Sequence, residues 1–129
     1  AGQKSHFLIP EIIAQVKANK PDRLKDLAPR RDYLYLDDFV EALVRTVEIS
    51  HGSHLYNIGY GSSLSVAEIV DVIQSVAGTS LPVVSENKPR QNEISDVYAD
   101  IHHAKHELGW YPRHTFKEGI KNMISMENI

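Results

Sequence analysis

The sequence predicts an α/β fold, because helix-like and strand-like segments alternate along its 129 residues. Stripes of apolar residues recur with helical spacing in several segments, and short runs of β-branched and aromatic residues lie between them. Residues that cap helices mark where several helices should begin. The strands are too short to build a doubly wound sheet by themselves, so we expect them to be parts of a larger one.

Composition excludes several classes of protein. The formal charge of −3 gives no basic patch, which argues against nucleic acid as a partner. No run of about 18 apolar residues exists, so no membrane span is expected. The chain has no cysteine, which excludes disulfides and thiol catalysis and fits a cytoplasmic protein. No signal peptide precedes the first helix, and a start without methionine indicates a fragment.

The first helix is predicted from Ser5 to Lys20, where Pro10 suits the first turn. Residues 22–30 read as a short strand or an irregular connection. A strand of alternating apolar residues should follow from Arg30 to Leu36. The stripe of the first helix consists of Leu8, Ile9, Ile12, Ile13 and Val16.

A second helix is predicted from Asp38 to about Ile49, with Asp38 and Glu41 at the spacing of a capping box. Its apolar side is wide, as expected for a helix that is heavily covered. Asp37 and Asp38 could also be a carboxylate pair, but adjacent residues point apart, which favours capping.

A turn at residues 51–53 should lead into a strand at 55–58 and then into the glycine-serine run 59–63. That run either cradles phosphate or forms a plain turn before a helix. Ser65 and Glu68 form a second capping box, and Gly78 should end their helix in the left-handed conformation.

The last third should begin with an edge strand at 82–85, followed by a polar loop at 86–96 and a short strand at 97–99. Asp100 should cap a helix over 101–108 that Gly109 stops. Trp110 would then pack on that helix, or stack on a base. Thr115 and Glu118 form a third capping box, for a helix from 116 to about 126.

Two features allow a functional and a structural interpretation. Arg31 could meet a phosphate or carboxylate with its fork of donors, or it could pair with a neighbouring acid. His102, His103 and His106 have spacings found in metal sites, or they coat a solvated helix face. These spacings put the histidines in pairs. The sequence suggests no further ligand near either pair, so we expect no metal.

Four stretches, in this order and spacing, resemble motifs of one family. They are Leu8-Ile9-Pro10; Pro29 to Asp38; Tyr56 to Gly61 followed by Ser65 and Glu68; and Arg90 through Glu93, Ala99-Asp100, Ala104 and Lys105 to Pro112. The chain resembles the C-terminal, substrate-binding part of the extended short-chain dehydrogenase/reductase family, the NAD-dependent nucleotide-sugar epimerases and dehydratases. The resemblance covers nearly the whole chain, 1–129, and implies a missing N-terminal Rossmann core.

The resemblance implies roles for five residues. Arg31 and Arg90 match two arginines that bind the diphosphate of a nucleotide sugar, and Glu93 matches an acid that accepts hydrogen bonds from ribose hydroxyls. Tyr33 matches an aromatic residue near the nucleotide, and Leu8 a residue whose backbone faces the base. Asn57, Gly59 and Gly61 match the end of a strand of the cofactor domain. Residues 38–61 should therefore pack on, or belong to, the missing Rossmann lobe.

Two motifs of the family are missing. Gly59 and Gly61 lack the third glycine of a dinucleotide loop, and no tyrosine has a lysine four positions later. We therefore expect this chain to be inactive alone and to bind no cofactor. The intact protein would use NAD or NADP, with a tyrosine base upstream of Ala1, in hydride chemistry at the sugar's C4. The isolated chain should self-associate or be unstable. The alternative is a non-catalytic binding or scaffold domain that kept the fold.

Overall fold

A computed structural model describes residues 3–49 and 51–127 of the chain. These residues divide into two compact units, which we call unit 1 (residues 3–29, 65–95 and 117–127) and unit 2 (residues 30–49, 51–64 and 96–116). Both contain helices and short strands, which confirms the α/β class.

Unit 1 contains α1 (Leu8–Lys17), β1 (Asp22–Leu24), α3 (Val66–Ala77), β4 (Val83–Ser85) and all but the first residue of α5 (Phe116–Glu127). β1 and β4 pair in parallel, and α1 packs against both α3 and β1. Apolar side chains from both faces of these contacts are removed from water, which is the main force holding the unit together. The buried set is Ile12, Ile13, Val16, Leu24, Val66, Ile69, Val70, Ile73 and Ile120.

Unit 2 contains β2 (Arg30–Asp32), α2 (Leu36–Val47), β5 (Asp96–Val97), α4 (His102–Leu108) and most of β3 (Ser63–Ser65). The strand order is β3-β2-β5, and β2 and β5 are parallel. Trp110 is fully buried with Ala42, Ile101 and Ala104, and its indole N–H donates to the carbonyl of Asp38 at 2.9 Å. Trp110 therefore packs inside unit 2 rather than offering its ring to a base.

The helix signals of α3 are confirmed. Ser65 and Glu68 form the reciprocal capping box, and Gly78 ends the helix at a φ of 69°. The N–H groups of Val66 and Ala67 donate to the carbonyls of Pro29 and Leu27. Four backbone donors at the start of α3 therefore have partners, which leaves little there for an external anion.

The predicted start of α2 is wrong. The strand ends at Asp32 and the helix begins at Leu36, with Tyr35 as an N-cap that makes no side-chain capping bond. Asp38 is buried inside the helix, where its carboxylate accepts a hydrogen bond from the N–H of His114 at 3.0 Å. His114 Nδ1 lies 2.8 Å from the same carboxylate. A partner 76 positions away thus replaces the expected local capping bond.

Three smaller predictions differ from the structure. Residues 55–58 form no strand, since no strand of the described chain pairs with them, and a ladder needs a partner. The strand that pairs with β2 is instead β3, which overlaps the expected turn at 59–63 only at Ser63 and ends at the capping residue Ser65. The strand expected at 97–99 lies at 96–97. Asp100 precedes the N-cap Ile101, although it still accepts a hydrogen bond from the N–H of His102.

The remaining helix predictions are confirmed, with shifts of a few residues at their ends. α1 begins at Leu8 and ends at Lys17, α4 ends at Gly109 with a φ of 59°, and α5 begins at Phe116. Within residues 3–49 and 51–127, none of the helices has the length and apolar character needed to cross a membrane.

We expect Ser65→Ala to lower the free energy of unfolding by about 1 kcal/mol, because it removes the acceptor for the N–H of Glu68. Urea unfolding of the chain at low protein concentration measures this. Ser75→Ala, at an exposed interior position of the same helix, is the matched control and should cost nothing. Equal effects of the two substitutions would contradict the role of the cap.

The buried Asp22 should make stability depend on pH. Its Oδ2 accepts from Gln74 at 2.8 Å, whereas its Oδ1 has no partner in the structure. Burial raises the pKa of Asp22, and the Gln74 hydrogen bond partly opposes that rise. Because the folded pKa exceeds the unfolded one, ionisation favours the unfolded chain. Stability should fall as pH rises from about 4 through the folded pKa, and then level off.

Urea unfolding between pH 4 and pH 8 tests this expectation. The pH dependence should be smaller in Asp22→Asn, which cannot ionise, than in the wild-type chain. Asp71→Asn, at an exposed position of α3, should keep the wild-type profile. An unchanged profile in Asp22→Asn would rule out the effect.

Candidate functional site

The five candidate residues fall into two groups. Arg31 and Tyr33 belong to unit 2, and Leu8, Arg90 and Glu93 belong to unit 1. Each group has its own local geometry and is described separately.

Arg31 is held at the centre of β2, where the two arginines of the pair behave differently. Arg30 donates from Nε to Ser63 Oγ at 3.2 Å and from Nη2 to the Ser63 carbonyl at 2.9 Å, and its Nε lies 3.9 Å from Asp96 Oδ2. Arg31 is half-buried and donates from Nη1 to the carbonyl of Arg30 at 2.7 Å. Arg30 thus makes contacts to both neighbouring strands, to Ser63 of β3 and to Asp96 of β5.

Asp32 is a residue that the sequence interpretation passed over. Its carboxylate accepts hydrogen bonds from the backbone N–H groups of Tyr60 at 2.7 Å, Gly61 at 3.0 Å and Ala99 at 3.1 Å. The run 59–63 therefore forms a turn and strand whose amides bind an internal carboxylate, and it is not an open phosphate cradle. The only available signal was an acid directly after two arginines.

Tyr33 is half-buried beside Arg31. Burial raises the pKa of its phenol, and the positive charge of Arg31 partly opposes the rise. The Tyr33 ring lies 5.7 Å from the ring of Phe116 at a tilted angle of 59°. A neutral aromatic ring next to a guanidinium group is thus already in place in unit 2, an arrangement that suits a ligand combining a flat base with phosphate.

Leu8 is the first residue of α1. The N-cap residue Phe7 has no side-chain acceptor, and no capping hydrogen bond is made there. The first-turn amides of α1 therefore receive no help from a capping side chain. This is compatible with backbone recognition of a ligand at Leu8.

Arg90 and Glu93 are brought together by a tight turn. The N–H of Glu93 donates to the Arg90 carbonyl at 3.3 Å, and Asn92 adopts a left-handed φ of 59° between them. Arg90 Nε lies 4.0 Å from Glu93 Oε2, and the Arg90 side chain is 81% exposed, against 20% for Glu93. Such an exposed ion pair contributes little to stability, so Arg90 can turn toward another anion at small cost.

Two histidines of α4 contact separate carboxylates. His102 Nδ1 lies 2.7 Å from Asp100 Oδ1, and His103 Nε2 lies 2.9 Å from Glu107 Oε1. Hydrogen bonds from His103 and Tyr56 lower the pKa of Glu107. Among the described residues, no three metal-binding side chains form a group that could hold an ion.

One apolar surface of unit 2 is open to solvent. We call it the α2 face; it consists of the α2 residues Leu36, Phe39, Val40, Leu43, Val44 and Val47. Val47 is 84% exposed, and Leu55, in the neighbouring unpaired segment, is 83% exposed. The sequence predicted a heavily covered helix, whereas residues 3–49 and 51–127 leave this face exposed. Contiguous apolar surface of this kind marks an interaction site or an aggregation liability.

Comparison with known proteins gives a consistent family assignment. A sequence model described as GDP-mannose 4,6 dehydratase matches residues 2–123. The chain is 32% identical over 133 residues to the dTDP-glucose 4,6-dehydratase of Xanthomonas campestris, covering 92% of this chain and 38% of the relative. It is 34% identical over 116 residues to the UDP-glucose 4-epimerase of Neisseria meningitidis, covering 80% and 33%.

The fold also matches solved structures. The UDP-glucuronic acid 4-epimerase of Bacillus cereus, solved with UDP-glucuronic acid and NAD, superposes with a TM-score of 0.83. That match covers 97% of this chain and 41% of the epimerase. Because the sequence identity is 23%, the match supports only the fold. The chain thus spans well under half the length of its relatives and corresponds to the C-terminal part of these larger enzymes.

Proposed function

The chain belongs to the GDP-mannose 4,6 dehydratase family, and we propose that it binds the nucleotide-diphosphate sugar for an NAD(P)-dependent epimerase or dehydratase. The observation that carries the proposal is the position of Arg31 on β2. Its guanidinium is half-buried, and the residues on either side of it, Arg30 and Asp32, are held by their own hydrogen bonds. A guanidinium presented from a fixed backbone suits the diphosphate, because its planar fork matches phosphate oxygens in both charge and geometry.

The other proposed contacts are those that the family resemblance assigns to single residues. Arg90 exchanges its weak contact with Glu93 for a phosphate, and Glu93 then accepts hydrogen bonds from the ribose hydroxyls. Backbone groups at Leu8 would meet the base, and Tyr33 would lie near the nucleotide. Binding energy from these contacts, remote from the reacting sugar carbon, would orient the sugar for chemistry.

The residues of this chain do not fit a dinucleotide cofactor. The backbone donors nearest to a glycine-rich pattern, at Tyr60 and Gly61, are bonded to Asp32. We therefore place NAD or NADP on another part of the intact protein; the Bacillus cereus structure contains NAD and the RMD structure from Pseudomonas aeruginosa contains NADPH. This chain would bind substrate, be inactive alone, and act in the cytoplasm.

The α2 face supports a second part of the proposal. We place the missing Rossmann lobe over residues 38–61. Both the apolar side of α2 and the unpaired segment around Leu55 expose large apolar side chains of the kind that are usually buried. Burying that side would remove several large apolar side chains from water at once.

We expect Arg31→Ala and Arg90→Ala each to raise the Kd of the intact protein for its nucleoside diphosphate at least about tenfold, the usual effect of losing a hydrogen bond to a charged group. Calorimetry with UDP, dTDP, GDP and CDP measures this and identifies the base. Arg23→Ala, at an exposed arginine of β1 outside the candidate site, is the control. Unchanged affinity in both site variants would favour a scaffold domain that kept only the fold.

We also expect the isolated chain to self-associate through the α2 face. Sedimentation velocity over a range of concentrations should show larger species. Val44→Lys combined with Val47→Lys should shift the population toward monomer, because burying two ammonium groups in an apolar contact is costly. Ile94→Lys, which also places a charge at an exposed apolar position, should leave the distribution unchanged. A monodisperse wild-type monomer would refute the expectation.

A further inference from the structure

We propose that Asp32 is a positioning residue for nucleotide-sugar binding, holding β2 so that Arg31 meets the diphosphate. The inference rests on the proposed function, and it assigns a role to a side chain that would not itself touch the ligand. Four kinds of observation support it: the bonds of Asp32, the bonds of Arg30, the fit at Gly59 and the placement of charge.

The bonds of Asp32 join three separate parts of unit 2. Its carboxylate accepts from Tyr60, 28 positions away, from Gly61, 29 positions away, and from Ala99, 67 positions away. Tyr60 and Gly61 precede β3, and Ala99 follows β5, so the carboxylate ties the end of β2 to the connections on both of its sides. Hydrogen bonds to an ionised acceptor are about twice as strong as neutral ones.

The bonds of Arg30 hold the other neighbour of Arg31. Arg30 bonds to Ser63 on β3 and lies 3.9 Å from Asp96 on β5. Side chains alternate along a strand, so Arg30 and Asp32 point to one face and Arg31 to the other. The central arginine therefore starts from a backbone that is fixed on both sides, and its Nη1 donates to the carbonyl of Arg30 at 2.7 Å.

The turn at Gly59 is shaped to reach Asp32. A Cβ at this position would lie 2.7 Å from Asp32 Oδ2 and 2.6 Å from Ala99 Cβ, closer than atoms can pack. Glycine is thus needed for the turn to bring its N–H groups onto the carboxylate. Any side chain at Gly59 would push Asp32 or the turn aside without altering the charge of the site.

The charge of Asp32 makes its role testable by the sign of an effect. A carboxylate next to a diphosphate site repels the ligand, so electrostatics alone predicts that Asp32→Asn tightens binding. Positioning predicts the opposite, because an amide cannot accept all three N–H bonds and its NH₂ group opposes them. A guanidinium moved out of place loses a hydrogen bond to a charged phosphate, which is worth about tenfold in Kd.

The test compares variants of the intact protein by calorimetry, with the tightest-binding of UDP, dTDP, GDP and CDP as probe. The matching nucleoside, which has the base and ribose but no phosphate, is measured by competition. Asp32→Asn should raise the diphosphate Kd about tenfold and leave the nucleoside Kd within about twofold. Asp38→Asn removes another hydrogen-bonded carboxylate from unit 2 and is the matched structural control, expected to change neither Kd.

Gly59→Ala gives a second, charge-neutral route to the same displacement, and it should weaken the diphosphate selectively as well. The inference is overturned if Asp32→Asn binds the diphosphate as well as or better than the wild type, or if diphosphate and nucleoside weaken equally. It is also overturned if Asp38→Asn reproduces the selective loss. Failure of the proposed function looks different: Arg31→Ala itself would then leave the diphosphate Kd unchanged.

Discussion

The structure of unit 2 depends on one carboxylate that accepts three backbone hydrogen bonds. Asp32 is half-buried, and the N–H groups of Tyr60, Gly61 and Ala99 replace the solvent contacts that its carboxylate loses. Those bonds in turn fix where the strand β2 lies between the connections on its two sides. The buried cluster around Trp110 is built around α2 and α4, which follow β2 and β5 in the chain. The polar contact at the sheet and the apolar packing at the helices thus involve consecutive segments of the chain.

Local signals in the sequence predicted local structure well. The capping box at Ser65 and the left-handed glycines at Gly78 and Gly109 act within one helical turn, so spacing alone reveals them. Asp38 failed as a cap because its partner, His114, lies 76 positions away, and no local pattern encodes that distance. The strand at 55–58 failed for a related reason, since strand formation depends on a partner that the described chain does not contain.

The candidate site was predictable at the level of the family but not of its geometry. Motif order along the chain pointed to the family that the comparisons support, and it selected Arg31 and Arg90 as phosphate ligands. It could not reveal that Arg30 would bond to Ser63 and lie near Asp96, because those residues belong to neighbouring strands far away in the sequence. It also did not identify Asp32. The partners of Asp32 are backbone N–H groups, which every residue type except proline has, so the sequence cannot indicate them.

The open α2 face has a consequence in the cell. A helix that shows six large aliphatic or aromatic side chains to water is the kind of surface that molecular chaperones retain and proteases remove. Wherever this chain stands without a neighbour over that helix, its abundance would be set by quality control rather than by its own folding equilibrium. The lifetime of the chain in a cell would then depend on whether the proposed Rossmann lobe is present to cover the α2 face.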